Sequence, residues 1–153
     1  PEPLGGTSRV LEMHEGIRVV VEESPTAEAV ARLDAGLSEH AAPFVPAPGF
    51  RPLAVLARDS ASELRGGALG KVNWNWLHVS LLWVDPRYRR IGLGAALLAR
   101  IEAEARGRGC QHAHLDTFSY QARDFYQQAG YTSFGVLEDY PPGHRRYFLK
   151  KRL

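Results

Sequence analysis

The segment Val84-Asp85-Pro86-Arg87-Tyr88-Arg89-Arg90-Ile91-Gly92-Leu93-Gly94-Ala95 constrains the fold of this chain more than any other. A strongly apolar run, Leu77–Val84, ends at Asp85-Pro86, because proline has no N–H for a strand ladder and restricts the residue before it. A basic loop follows, and then a helix is expected over Ile91–Arg106. In it Leu93, Leu97 and Ile101 recur at i, i+4, with Leu98 and Ala105 beside them. The first turn of such a helix carries backbone N–H groups without internal partners and is the positive end of the helix dipole. Glycine there lets a phosphate approach the backbone with no Cβ in the way. Arg87, Arg89 and Arg90 add charge-assisted donors. The physical reading is a pyrophosphate site. A dinucleotide-binding fingerprint would need Gly or Ala at position 97, where Leu97 stands, and would open the fold instead of sitting in its middle.

The rest of the chain supplies strands and helices around this unit. Residues 1–15 have little periodicity and read as a flexible leader, with one domain over 16–153. Ile17–Val21 is expected as a first strand, and Pro25-Thr26 opens a helix with Ala29, Val30, Leu33 and Leu37 at helical spacing. Four prolines between Ala42 and Pro52 predict a loop. Strands are expected at Leu53–Ala57, Gly66–Trp74, Leu77–Val84, Gln111–Thr117, Tyr131–Glu138 and Arg145–Lys151. Glu102 and Arg106 are spaced as an i, i+4 ion pair on the long helix. A second helix, with Ser119 as its cap, places Ala122, Phe125, Tyr126 and Ala129 on one face and ends at Gly130. The order implies a single α/β (α+β) domain with a mixed sheet.

Composition narrows the function classes. Cys110 is the only cysteine of the 153 residues, which excludes an internal disulfide framework or a cysteine-based zinc cluster. No apolar run is long enough for a membrane-spanning helix, and Pro1–Met13 lacks the pattern of a secretory signal, so a cytoplasmic location is expected. The net charge of +2 is too small to argue for nucleic acid. Lys71, Lys150 and Lys151 are the only lysines, so the basic residues are mostly arginine.

Arg89-Arg90-Ile91-Gly92-Leu93-Gly94 resembles the Gln/Arg-x-x-Gly-x-Gly/Ala signature of the GCN5-related N-acetyltransferase (GNAT) superfamily. Ser119-x-x-Ala122-x-x-x-Tyr126-x-x-x-Gly130-Tyr131 is similar to its second motif, with Ser119 where Asn is more usual and Tyr131 where Phe is. The resemblance covers about residues 53–149 with order and spacing intact. It implies a mixed, strongly twisted sheet flanked by helices, with a V-shaped splay between the fourth and fifth expected strands, Leu77–Val84 and Gln111–Thr117. Acetyl-CoA, with no metal, would lie in that V. The backbone of Leu82 and Val84 would pair with its pantetheine arm. The backbone from Arg89 through Arg90, Ile91, Gly92, Leu93 and Gly94 to Ala95 would hold the pyrophosphate, and Ser119 would touch CoA.

The implied reaction is direct acetyl transfer from acetyl-CoA to a primary amine in a ternary complex. Tyr126 matches the family's acid, which protonates the leaving sulfur, and also contacts CoA. His78, six residues before Val84, is the candidate base, with Asp116, Glu138 and Asp139 as alternatives. Glu138 and Asp139 hint at a cationic small-molecule acceptor, and Trp74, Trp76, Trp83 and Tyr140 could line its cleft. The acceptor would be held by the domain's own loops or by a second copy in a homodimer. A protein or peptide amine, and an acyl-CoA sensor without turnover, are rival readings. His112-x-His114-x-Asp116 resembles part of a metal-hydrolase signature but lacks a His at position 117, so it reads as a solvated strand face. Arg145–Lys151 reads as a charged edge strand in preference to a nucleic-acid surface.

Overall fold

The computed structural model describes residues 10–12 and 16–153. Apart from Val10–Glu12, the leader expected over residues 1–15 lies outside the described residues. The described residues form two units, divided between Ala47 and Pro48. In the first unit, β1 (Val10–Glu12) pairs antiparallel with β2 (Arg18–Val20), which is the strand expected at 17–21. Helix α1 spans Ala27–Ala41, and its cap Thr26 accepts a hydrogen bond from the Ala29 N–H at 3.1 Å.

The second unit is a six-stranded mixed sheet with two helices. Its strands are β3 (Arg51–Arg58), β4 (Leu64–Asn73), β5 (Trp76–Val84), β6 (His112–Phe118), β7 (Thr132–Glu138) and β8 (Arg145–Arg152). Their spatial order is β3-β4-β5-β6-β8-β7. Helix α2 (Leu93–Gly107) joins β5 to β6, and the short α3 (Arg123–Gln128) joins β6 to β7. Every strand pairing is antiparallel except that of β5 with β6. That parallel pairing needs a crossover, and α2 provides it. Among the described residues no helix is long and apolar enough to cross a membrane.

Several expectations are corrected. Strand β3 already begins at Arg51 and includes Pro52, which a sheet edge tolerates. Strand β8 lies between β6 and β7, so the charged strand is interior and β7 forms the edge. Its alternation explains the placement: Tyr147 and Leu149 are buried, while Arg145 and Lys150 face solvent. Ser119 does not cap α3; Ala122 holds the N-cap position, with no side-chain hydrogen bond.

The core forms where α2 lays Leu97, Leu98, Ile101 and Ala105 against Ala68, Val72, Leu77, Val79, Ala113, Leu115 and Leu149 of the sheet. Glu102 shares that buried face and does not pair with Arg106 as its spacing suggested. Its carboxylate accepts from the Tyr131 hydroxyl at 2.9 Å and from Lys151 Nζ at 2.8 Å. Burial and the Glu102 carboxylate push the Tyr131 phenol far up, so it remains a donor. The cluster fastens α2 to β8 across the layer.

A β-bulge at Ser80 resets strand β5. Leu69 pairs with Leu81 and Gly70 with Val79, which leaves Ser80 as the extra residue. Before the bulge the odd residues Leu77 and Val79 face the core; after it Leu82 and Val84 do. Gly70 is required there, since a Cβ would collide with the His78 carbonyl.

Removing one partner from a buried ion pair leaves an uncompensated charge, typically at a cost of about 3 kcal/mol or more. Lys151→Met is therefore expected to lower the unfolding free energy by about 3 kcal/mol in urea denaturation. An unchanged midpoint would show that Tyr131 alone satisfies Glu102.

Candidate active site

The ladder between β5 and β6 has only three pairs: Trp76 with His112, Leu77 with Ala113, and His78 with His114. Both strands continue beyond it, and residues of both line one cavity of about 840 Å3. Val79 to Val84 form one wall, and Leu115, Asp116 and Thr117 form the other. Arg89, Arg90, the start of α2 and Tyr120, Gln121, Ala122, Phe125 and Tyr126 complete the lining, with Phe125 close to Gly94.

The open edge of β5 has a definite polarity. Asp85 N–H donates to Arg65 O on β4 at 2.8 Å. Successive residues alternate in direction, so the backbone groups of Leu82 and Val84 point away from β4, into the cleft. The Arg89 Nε donates to the Val84 carbonyl at 3.1 Å from that side.

The loop into α2 is held by a charge network. Asp85 accepts from the Arg87 N–H at 3.0 Å and from Arg87 Nη2 at 2.9 Å. Arg65 reaches Asp85 at 3.3 Å and Asp59 at 2.7 Å. The Arg87 side chain and N–H hold the Asp85 carboxyl far below the usual carboxylate range, and Arg65 adds to this. Arg87 is thus turned back onto Asp85 and does not line the cavity, contrary to its reading as a phosphate donor. Gly92, the N-cap of α2, has φ of 84°, a conformation that disfavours side chains. No side chain caps this end of α2, and Leu93, Gly94 and Ala95 line the cavity.

Leu82, Val84, Arg89, Arg90, Gly92, Leu93, Gly94, Ala95 and Tyr126 thus meet at one cavity. Ile91 does not line it and is exposed. Ser119 lies in a separate cavity of about 380 Å3, with its hydroxyl 3.1 Å from His144 Nδ1 and accepting from the Arg145 N–H at 3.2 Å. Gln121 occupies the end of β6 instead; its Oε1 accepts from Thr117 Oγ1 at 3.2 Å and from the Phe118 N–H at 3.1 Å. The sequence motif points to Ser119 alone, and no signal in it singles out Tyr120 or Gln121. Burial raises the Tyr126 phenol above its ordinary value and the Asp116 carboxylate adds to this, so Tyr126 is a protonated donor.

His78 stands at the closed end of the cleft, opposite His114, and is not among the residues that line the cavity. Asp116 does line it and is bound by Arg146 Nε at 2.8 Å. The Arg146 guanidinium lies over the rings of Phe118, Tyr140 and Phe148. Glu138 pairs with Arg145 at 2.6 Å, and Asp139 accepts from the Gly143 N–H at 2.8 Å, so both carboxylates already have partners. Trp83 lines the cavity, whereas Trp76 stacks on His112. His112 and His114 are half-buried ring partners, so the solvated-face reading of this strand is corrected. Among the described residues no group of three or more His, Cys, Asp or Glu is placed to hold a metal ion.

A strand edge left open beside an uncapped helix N-terminus offers unpaired backbone groups to a ligand. Residues 20–131 match the acetyltransferase (GNAT) family. A blasticidin-S acetyltransferase of Streptomyces morookaense is 47% identical over 107 residues, covering 67% of this chain and 79% of that protein. An acetyltransferase of Agrobacterium fabrum is 36% identical over 102 residues, covering 67% of this chain and 74% of its own. The crystal structure of an acetyltransferase from Bacillus cereus superposes with a TM-score of 0.80 at 31% identity, covering 87% of this chain and 97% of that one. The chain belongs to the GNAT family of acetyltransferases, enzymes that bind acetyl-CoA and an acceptor.

The depressed Asp85 carboxyl sets a pH signature. A carboxylate favoured by folding contributes stability above its unfolded value, ~3.9, and loses it as pH falls toward the folded value. Asp85→Asn is expected to melt a few degrees below wild type between about pH 5 and pH 8, with the gap narrowing below about pH 4. Thermal melts across that range check it; a gap independent of pH would exclude the charge network as its cause.

Proposed function

We propose that this chain transfers an acetyl group directly from acetyl-CoA to the primary amine of a small molecule within a ternary complex. The observation that carries the reading is the single cavity joining the open edge of β5, the uncapped start of α2 and the Tyr126 phenol. The pantetheine arm would pair with Leu82 and Val84 as an added strand does. The N–H groups of Leu93, Gly94 and Ala95 would receive the pyrophosphate, with Arg89 and Arg90 at its flank.

Tyr126 acts as the acid. Its phenol gives the departing sulfur a proton as the carbon–sulfur bond breaks. His78 accepts the proton that the amine loses, at the closed end of the cleft. The name of the Streptomyces morookaense relative supports a small-molecule acceptor over a protein amine. Asp116, held by Arg146, lines the cavity whereas Glu138 and Asp139 do not, so Asp116 is the carboxylate nearest an incoming amine.

Acetyl-CoA-dependent thiol release, screened with blasticidin S, aminoglycosides, polyamines and peptides, tests the reading. Turnover on a small-molecule amine is expected. CoA binding without turnover on any amine would instead establish an acyl-CoA sensor. Tyr126→Phe is expected to lower kcat by about 100-fold with CoA affinity retained, since general acid catalysis contributes at least that much. An unchanged rate removes the acid role. Gly92→Asp forces a side chain into a left-handed conformation and puts a negative charge beside the phosphates. Calorimetry is expected to show CoA affinity reduced by about 10-fold or more, by analogy with the loss of one charge-assisted contact; unchanged affinity would relocate the pyrophosphate.

A further inference from the structure

One transverse row of the sheet carries four titratable side chains on the same face. Lys71 on β4 lies opposite His78 on β5, His78 opposite His114 on β6, and His114 opposite Lys150 on β8. Directly opposed residues share a face. Their neighbours Leu77, Val79, Ala113 and Leu115 are buried in the core, so the row looks away from α2. The two imidazoles stack with centroids 4.6 Å apart and planes 14° from parallel. Trp76 and His112 stack beside them at 4.6 Å, and the Trp76 ring meets His114 edge-on at 5.8 Å. The imidazoles are therefore ordered by ring contacts where the ladder ends. The next residues along, Val79, Leu115 and Asp116, line the cavity.

We propose that His114 joins His78 as a catalytic base, the stacked pair receiving as one unit the proton that the acceptor amine loses. The assignment rests on the acetyl-transfer reading above. The step balances. The amine nitrogen attacks the thioester carbonyl, a carbon–nitrogen bond forms and the carbon–sulfur bond breaks. The amine proton passes to the imidazole pair and the sulfur takes the Tyr126 proton. Solvent then removes one proton from the imidazoles and returns one to the phenolate.

A base must arrive unprotonated, and the charges around the pair favour that. Within Pro48–Leu153 they are Lys71 from β4, His112 and Asp116 from β6, and Arg146, Lys150 and Arg152 from β8. At the ends of the row, Pro52 of β3 stands opposite Lys71 and Thr132 of β7 opposite Lys150, and neither titrates. Asp116 is the one carboxylate among them, and Arg146 holds it. Burial lowers the His78 imidazole below its ordinary value, Lys71 lowers it further and Asp116 opposes them. His114 is lowered by burial, by His78 and by Lys71, again against Asp116. Lowered imidazoles stay neutral to lower pH, so the acid limb of the rate should fall below the ordinary imidazole value of ~6.5. Protonating one ring disfavours the second, so the pair titrates in two steps shared by both.

The test combines kinetics on the full chain, with whichever amine of the screen turns over fastest, and an NMR titration of the imidazoles without acceptor. His114→Gln is expected to lower kcat by about 100-fold while CoA affinity is kept, and free imidazole to restore part of the rate of His114→Ala. Lys71→Met is expected to move the acid limb of kcat/KM, and both imidazole titrations, to higher pH. An unchanged kcat and acid limb in His114→Gln would overturn the proposal and leave acetyl transfer standing. Independent titration of the two rings near ~6.5 would do the same. A wild-type chain that acetylates no amine would overturn both readings.

Discussion

Strands β5 and β6 hydrogen-bond to each other over only three residue pairs, and the site depends on where that ladder stops. Backbone N–H and C=O groups that leave a ladder need other partners. Past His78 and His114 the two strands leave facing edges that no neighbouring strand pairs. That gap is an expensive feature for an interior pair of strands unless a ligand or water fills it. Here it widens into a cavity whose end is the uncapped start of α2. An unpaired strand edge and unpaired helix N–H groups are two forms of the same unsatisfied backbone, and one long ligand can satisfy both.

The rest of the fold keeps that gap in shape. Glu102, Tyr131 and Lys151 tie α2 to the far side of the sheet. Asp85, gripped by Arg65 and Arg87, fixes the loop by which β5 enters α2. The bulge at Ser80 lets Leu77 and Val79 on one side of it, and Leu82 and Val84 on the other, all reach the same core. His78, two residues before the bulge, is left on the opposite face.

Much of this was legible in the chain. The strand-Pro-Arg-Gly segment identified a helix entered through a phosphate-compatible turn, because glycine and proline act locally. The helical spacing of Leu93, Leu97 and Ile101 anticipated the buried face of α2. The motif position of Ser119 points to CoA, yet its hydroxyl turns toward His144 and Arg145, residues distant in sequence that the β7–β8 hairpin brings alongside. Simple alternation would place Leu82 and Val84 on the same face as His78, and the residue inserted at Ser80 puts them on the other. Arg87 looked like a phosphate ligand until its carboxylate partner two residues earlier claimed it.

The sequence by itself determined the element types, the glycine turn and the family, since propensity, periodicity and motif spacing are properties of nearby residues. Tertiary structure alone decided that β8 runs inside the sheet, that Glu102 is a buried anchor and not a surface partner of Arg106, and that Lys71, His78, His114 and Lys150 form one row. These depend on register between strands far apart in the chain. Register is set by the summed burial of both strands' apolar faces, which no single segment encodes.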